Sequence, residues 1–377
     1  MRTRISFFIV LFTACVGTSA AFAQKFNLLI GTYTSPGGSE GIYVYEFDAA
    51  TGKLTYRSKA AGVNPSFVAI ARDQKHVYAV SEADKVNGGI AAFDWDAGSG
   101  TLKFLNKQSA GGDGTCYVSV DATGKFVFAA NYGSGSIAAI PVKADGSLGS
   151  EIQAIAYTGG GPDKSRQEKA HLHCVVLSPD NKYLFANDLG SDKTYIHQVD
   201  LSKPSSPLTP SNPAYLTVKP ASGPRHITFH PNQKFAYLAL EMEGAVNALS
   251  YKDGKLAVIQ SESLLAGGFK GAVGAADIHV SPDGKFLYVS NRGDANDISI
   301  FSINDKNGRI TFAGRQSTLG KTPRNFAIDP TGKYLLAANQ NSNSVIVFKR
   351  NAKTGLLTDT GIKAEVSKPV CLVFGNR

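Results

Sequence analysis

Four residues stand where a chain of short apolar strands has no structural use for them. His173 lies in AHLHC (170–174), two residues after His171. Arg225 lies in GPRH with His226 next to it, Glu241 closes LALE, and Arg292 closes VSNR. Each begins or ends an apolar run, and burying an unpaired charge costs several kcal/mol. Two guanidiniums converging on one pocket suit a carboxylate or phosphate, which they grip bidentately. A histidine and a glutamate between them can move a proton near neutral pH. A purely structural arrangement, with Arg225 and Glu241 paired across neighbouring strands, accounts for two of the four and leaves His173 and Arg292.

The elements that must position these residues come from an internal repeat. One pattern recurs: a short apolar strand, a turn carrying Asp or Asn with Gly, a lysine, then an aromatic-rich strand. Its copies are ARDQKHVYAVSE (71–82), DATGKFVFAANY (121–132), SPDNKYLFANDL (178–189), HPNQKFAYLALE (230–241), SPDGKFLYVSNR (281–292) and DPTGKYLLAANQ (329–340). The lysines Lys75, Lys125, Lys182, Lys234, Lys285 and Lys333 are spaced by 50, 57, 52, 51 and 48 residues, the length of a four-stranded propeller blade. Hairpin patterns such as YVYEFDAATGKL (43–54) and LSYKDGKL (249–256) follow the copies. LLIGTY (28–33) lacks a preceding strand and PVCLVFGNR (369–377) lacks a following one, so together they complete one blade. The fold class is all-β: a seven-bladed β-propeller of four-stranded blades, its ring closed by the C-terminal strand joining the N-terminal blade, with no open edge there.

With the strands of a blade labelled A to D from the channel outward, the start of A lies beside the end of B, opposite the SPDGK-type turn. The A-start column reads Ser66, Cys116, His173, Arg225, Ala276, Arg324 and Val370; the B-end column reads Tyr33, Glu82, Tyr132, Leu189, Glu241, Arg292 and Gln340. His173, Arg225, Glu241 and Arg292 are the catalytic candidates. His171, His226, Arg324, Gln340, Tyr132 and Glu82 lie on or beside the same rim and are substrate-binding candidates. The long connection YTGGGPDKSRQEKAH (157–171) ends at this face and has the length of a lid. His76, His197, His230 and His279 fall elsewhere in the repeat and read as structural or surface residues. Walker A, H-E-x-x-H and C-x-x-C patterns are missing, and nothing in the sequence requires a metal or cofactor.

Composition agrees with one large β domain: 39 glycines, 15 tyrosines and 21 phenylalanines stand against 2 methionines among 377 residues, and the 43% hydrophobic content excludes a disordered chain. Arg2 and Arg4 precede an apolar stretch from Ile5 to Val16, and Ala21-Phe22-Ala23 forms a small-residue cleavage site before Gln24. Residues 1–23 are therefore predicted to be a secretory signal cut after Ala23, too short to anchor a membrane, and residues 24–377 to be the propeller. Export places the protein in the periplasm or outside the cell. Removing the signal lowers the formal charge from +9 to +7 and leaves Cys116, Cys174 and Cys371, which cannot all pair and are predicted to be buried free thiols. The charge is dispersed, without a basic, aromatic-interleaved stripe, so a small anionic molecule is the expected partner rather than nucleic acid.

The stretches HLHCVVLSPDNKYLFANDLGSDK, GPRHITFHPNQKFAYLALE and VSPDGKFLYVSNRGDANDISIF resemble the seven-bladed-propeller lactonases, a family that includes propeller-type 6-phosphogluconolactonases and carboxy-cis,cis-muconate cyclases. The resemblance spans essentially all of the chain after residue 23. It implies a metal-independent site of one His, two Arg and one Glu, falling on His173, Arg225, Glu241 and Arg292. The expected activity is hydrolysis of a sugar-acid lactone, with Arg225 and Arg292 holding an anionic substituent, His173 as general acid–base and Glu241 orienting it or sharing its proton. A cyclase working in the lactone-forming direction and a non-catalytic binding propeller are the alternatives.

Overall fold

The computed structural model describes residues 24–84 and 86–376; the signal expected over residues 1–23 lies outside them. Seven four-stranded antiparallel sheets follow one another round a ring. The six repeat copies build the A–B turn and strand B of blades 2 to 7, and the residues just before each copy build its strand A. Blade 1 takes strand A from the C-terminus, Pro369–Gly375, and strands B to D from Lys25–Thr32, Gly41–Asp48 and Leu54–Ala61. The closing pairs include Leu28 with Phe374 and Ile30 with Leu372.

The A–B turn explains the SPDGK signature. In all six copies the residue before the lysine has a left-handed backbone: Gln74, Gly124, Asn181, Gln233, Gly284 and Gly332, with φ between 57° and 71°. Glycine adopts this region without a Cβ clash, and Asn tolerates it better than most residues. An acidic or hydroxyl side chain holds the turn. Asp121 accepts the Phe126 amide at 2.7 Å, Asp329 the Tyr334 amide at 2.6 Å, and Ser281 the Phe286 amide at 3.0 Å. The six lysines that follow are all exposed, so much of the positive charge is surface charge.

Strand B is buried along its whole length in blades 3, 5, 6 and 7, because both faces pack against neighbouring blades. The core therefore sits between blades; Leu28, Ile30 and Phe47 of blade 1, for example, pack with Tyr334 and Leu336 of blade 7. Tyrosine hydroxyls bridge blades: Tyr237 donates to the Gly308 carbonyl at 3.1 Å and Tyr288 to that of Gly355 at 2.7 Å. Cys116, Cys174 and Cys371 are buried free thiols.

The start of strand A carries the feature that builds the site. In blades 1 and 3 to 7 the A–B register slips there, skipping Val370, Cys116, His173, Arg225–His226, Ala276–Asp277 and Arg324. Such bulges re-aim side chains and are common beside active sites. Here they turn the A-start column out of the ladder and toward the channel mouth.

Candidate active site

A cavity of about 370 Å³ opens at this mouth. From strand A come Cys116, His173 and Arg324; from the ends of strand B come Tyr33, Glu82, Tyr132, Glu241 and Arg292. Arg166, from the connection between blades 3 and 4, completes the wall. Of the catalytic candidates, His173, Glu241 and Arg292 face the cavity. Arg225 is 1% exposed and lies behind Glu241 rather than in the wall.

Glu241 is the centre of the electrostatics. Its Oε1 accepts a hydrogen bond from Arg166 Nη2 at 2.6 Å. Its Oε2 lies 2.8 Å from Arg292 Nη2 and 2.9 Å from Arg225 Nε, the second an ion-pair contact without hydrogen-bond alignment. Burial pushes the carboxyl up, but Arg292 and Arg225, with Arg166, override it and hold Glu241 well below the usual carboxylate range. An anion so tightly paired does not share a proton. Among the described residues Glu241 makes no hydrogen bond to His173, so its expected role as the partner that orients the histidine is replaced by one as the anchor of three guanidiniums. The Arg225–Glu241 pairing exists, and it is part of a larger cluster.

His173 is 6% exposed, and its Nδ1 is buried without a hydrogen-bond partner. Burial first, then the Arg225 charge and His226, hold its pKa well below the ordinary imidazole value, so it is neutral at pH 7. Tyr132 and His226 meet its ring edge-on at 5.6 and 5.4 Å. The result is a neutral imidazole in the cavity wall that can hold a proton only transiently, because burial and the neighbouring guanidinium disfavour its charged form.

The remaining candidates divide. Tyr132, Glu82 and Arg324 line the cavity; His171, His226 and Gln340 do not. His171 stacks on Tyr132 at 4.4 Å and hydrogen-bonds Glu168 and the Tyr132 carbonyl, so it supports the wall from outside. His226 is the second residue of the blade 5 bulge and points down the channel. Its Nδ1 donates to Asp277 Oδ1 at 2.8 Å, which leaves Nε2 to accept from Arg225 Nη1 at 3.1 Å. Burial, reinforced by Arg225, pulls its pKa to about 4, consistent with this neutral tautomer. Gln340 begins a 3-10 turn, Gln340–Ser342, which carries it off the rim. His279 joins Asp277 in the buried channel cluster, and His230 hydrogen-bonds the Gly284 carbonyl at 2.8 Å.

Three wall residues, Cys116, Tyr33 and Arg166, were not among the candidates, although Cys116 stood in the aligned A-start column. Tyr33 stood in the aligned B-end column; its hydroxyl donates to Glu82 Oε2 at 2.9 Å, and Ser66 Oγ donates to the same oxygen. Arg166 lies in the long connection expected to act as a lid. The adjacent Gln167 is fully buried and donates to the Leu189 carbonyl at 2.9 Å, which fixes the loop over the mouth. The run Gly37–Gly41 has the form G-x-S-x-G, but Ser39 is buried and hydrogen-bonded to Thr32 Oγ1, away from any histidine of the mouth.

A family profile described as lactonase, 7-bladed beta-propeller, matches residues 27–374, nearly the whole ring just described. The chain belongs to the seven-bladed β-propeller lactonases. With that membership it is an enzyme of lactone hydrolysis. It is 40% identical to a 6-phosphogluconolactonase of Bacillus subtilis over 353 residues, 93% of this chain and 98% of that protein. It is 38% identical to a 6-phosphogluconolactonase of Formosa agariphila, covering 88% and 94% of the two chains. The solved structure of a periplasmic gluconolactonase of Pseudomonas aeruginosa superposes with a TM-score of 0.88 at 38% identity, covering 93% of this chain and 99% of that one. Among these lactonases the named substrates thus include a phosphorylated and an unphosphorylated sugar lactone.

Proposed function

We propose that this lactonase is exported and hydrolyses a sugar-acid lactone, of the 6-phosphogluconolactone or gluconolactone type, at the mouth of the channel. The observation that carries the reading is a neutral His173 in the cavity wall, across from a guanidinium cluster fixed by Glu241. His173 takes a proton from water as the water oxygen attacks the lactone carbonyl carbon. The carbonyl oxygen becomes an oxyanion, stabilised by Arg292 and Arg166, whose charges line the cavity. The intermediate collapses with cleavage of the ring C–O bond, and His173 returns its proton to the departing alkoxide. Ring opening yields the open sugar acid. Arg225 acts through Glu241 and is a positioning residue: it donates to the Ala276 carbonyl at 2.7 Å and sets the carboxylate that aligns Arg166 and Arg292.

The basic N-terminal segment and its Ala-Phe-Ala site support export, as does likeness to a relative named as periplasmic. Intact-mass spectrometry of the protein from a periplasmic fraction should give a chain beginning at Gln24, open or cyclised with loss of ammonia; the mass of the full chain from Met1 would refute export. The activity is tested by following proton release from δ-gluconolactone and 6-phosphogluconolactone with purified protein. Acceleration over spontaneous hydrolysis is expected with at least one, and none with either would refute the reading.

A further inference from the structure

We infer that Asp277, which lies outside the mouth cavity, is a positioning residue for lactone opening: it fixes His226 as the Nδ1–H tautomer, and His226 in turn sets Arg225 against Glu241. This deepens the reading above and rests on it. The contacts run from the channel interior to the mouth. Asp277 Oδ1 accepts from His226 Nδ1 at 2.8 Å, His226 Nε2 accepts from Arg225 Nη1 at 3.1 Å, and Arg225 Nε lies 2.9 Å from Glu241 Oε2. Glu241 then holds Arg292 and Arg166 in the cavity wall. The two neighbours of the His226 ring admit one assignment. An ionised carboxylate only accepts and a guanidinium only donates, so the ring proton sits on Nδ1 and the Nε2 lone pair faces the arginine.

Asp277 is itself held from several sides. It is buried, and its Oδ2 accepts from His279 Nε2 at 2.9 Å, Asn325 Nδ2 at 2.6 Å and the Phe326 amide at 3.3 Å. Asn325 Oδ1 accepts the Leu372 amide at 2.7 Å. One carboxylate therefore joins the innermost strands of blades 5, 6 and 7 and, through Asn325, that of blade 1. Burial pushes its carboxyl up, but the His279 charge and the hydrogen bonds from His226 and His279 hold it well below the usual carboxylate range. Burial lowers the His279 pKa, and Asp277 more than offsets that. The counter-charge thus sits on His279, two residues further from the mouth, and His226 stays neutral.

The bulges at the start of strand A make the arrangement possible. In blades 5 and 6 two residues leave the ladder, Arg225–His226 and Ala276–Asp277. Side chains take over their backbone groups: Asn187 Nδ2 donates to the Arg225 carbonyl at 3.1 Å, and the Asp277 amide donates to Ser290 Oγ at 3.0 Å. Arg225 Nη1 also donates to the Ala276 carbonyl at 2.7 Å, so consecutive residues of blade 6 grip this guanidinium, one directly and one through His226. In the opposite tautomer His226 would point Nε2–H at the Arg225 N–H and a lone pair at the carboxylate. Arg225 would then lose its acceptor, and Glu241 one of its three guanidiniums.

Three variants of the whole protein test this: Asp277→Asn, His226→Gln and His226→Leu. Asn325 and the Phe326 amide only donate to Asp277, so in D277N the amide oxygen stays with them and the NH2 group faces His226, which reverses the tautomer. With δ-gluconolactone and 6-phosphogluconolactone, kcat per folded molecule should fall at least ~10-fold in D277N while KM moves by less than ~3-fold, because oxyanion contacts act in the transition state. H226Q carries one donor and one acceptor and should keep at least about a third of the wild-type kcat, whereas H226L should fall as far as D277N. A folded D277N protein with wild-type kcat, or H226Q as slow as H226L, overturns the assignment; if D277N does not fold, the contrast between the two His226 variants decides. Imidazole-nitrogen NMR on histidine-labelled protein reads the tautomer without any substrate, with the His226 signal identified by its loss in H226Q. It should report Nδ1–H in the wild type and another form in D277N. If neither lactone is opened, the lactonase reading fails and the NMR alone judges this one: a wild-type His226 in any form but Nδ1–H, or the same tautomer in D277N, refutes it.

Discussion

Replacing Glu241 by Gln removes the one anion that holds three guanidiniums while keeping side-chain shape. The contacts to Arg225 and Arg292 are buried, whereas Arg166 is 44% exposed and its pair is screened by solvent. Breaking a buried pair by removing one partner costs about 3–5 kcal/mol, because the remaining charge is left uncompensated. For a chain of about 350 ordered residues the unfolding entropy is roughly 0.7 kcal/mol/K, so Tm should fall by about 4–7 °C. The carboxyl is depressed in the folded state, so its contribution is complete above its ordinary value of 4.5 and is lost as pH falls through its lower folded value. The gap between wild type and E241Q should therefore be constant from about pH 8 to about pH 6 and narrow only in acid, below 4.5. Inorganic phosphate should restore part of the lost Tm by binding the freed guanidiniums. Differential scanning calorimetry across pH reads all three effects. An E241Q protein that melts within about 1 °C of wild type at pH 7 would refute the view that Glu241 organises the cluster.

Burial keeps His173 neutral well below its ordinary value. The kcat/KM profile should therefore stay flat from about pH 8 down through 6.5 and fall only at lower pH; a limb centred on 6.5 would contradict this. Arg166→Ala removes a half-exposed pair, so Tm should move by no more than about 1 °C while KM rises several-fold; an unchanged KM would remove Arg166 from the site. Cys116, Cys174 and Cys371 are buried, and burial pushes Cys174 and Cys371 up to about 12. Ellman's reagent should find no fast-reacting thiol in the native mature protein and three after unfolding, and a rapid native reaction would contradict the packing.

The ring was legible in the sequence because each turn needs a left-handed residue before an exposed lysine, and that requirement repeats every blade. The closing strand was legible because PVCLVFGNR and LLIGTY are each half of the same unit. Aligning the copies found His173, Glu241 and Arg292, since a charged residue at the end of an apolar strand stands out. Two features escaped for physical reasons. The bulge at the start of strand A breaks the alternation that a sequence pattern assumes, so His226 was placed on the rim when it faces down the channel. Arg166 lies in an inter-blade connection outside the repeat, where no column exists to single it out. Its sequence signal is indirect: a long connection ending at the mouth with one arginine. Arg225 was found, but its place behind Glu241 depends on packing depth, which register does not encode.

The most direct measurement of the central claim is lactone opening by His173→Gln, followed by proton release beside a thermal melt of the same sample. Glutamine fills the same space without a titratable nitrogen, so the fold should be unchanged and the rate at least ~100-fold below wild type. A folded H173Q protein that opens the lactone at the wild-type rate would place the chemistry elsewhere.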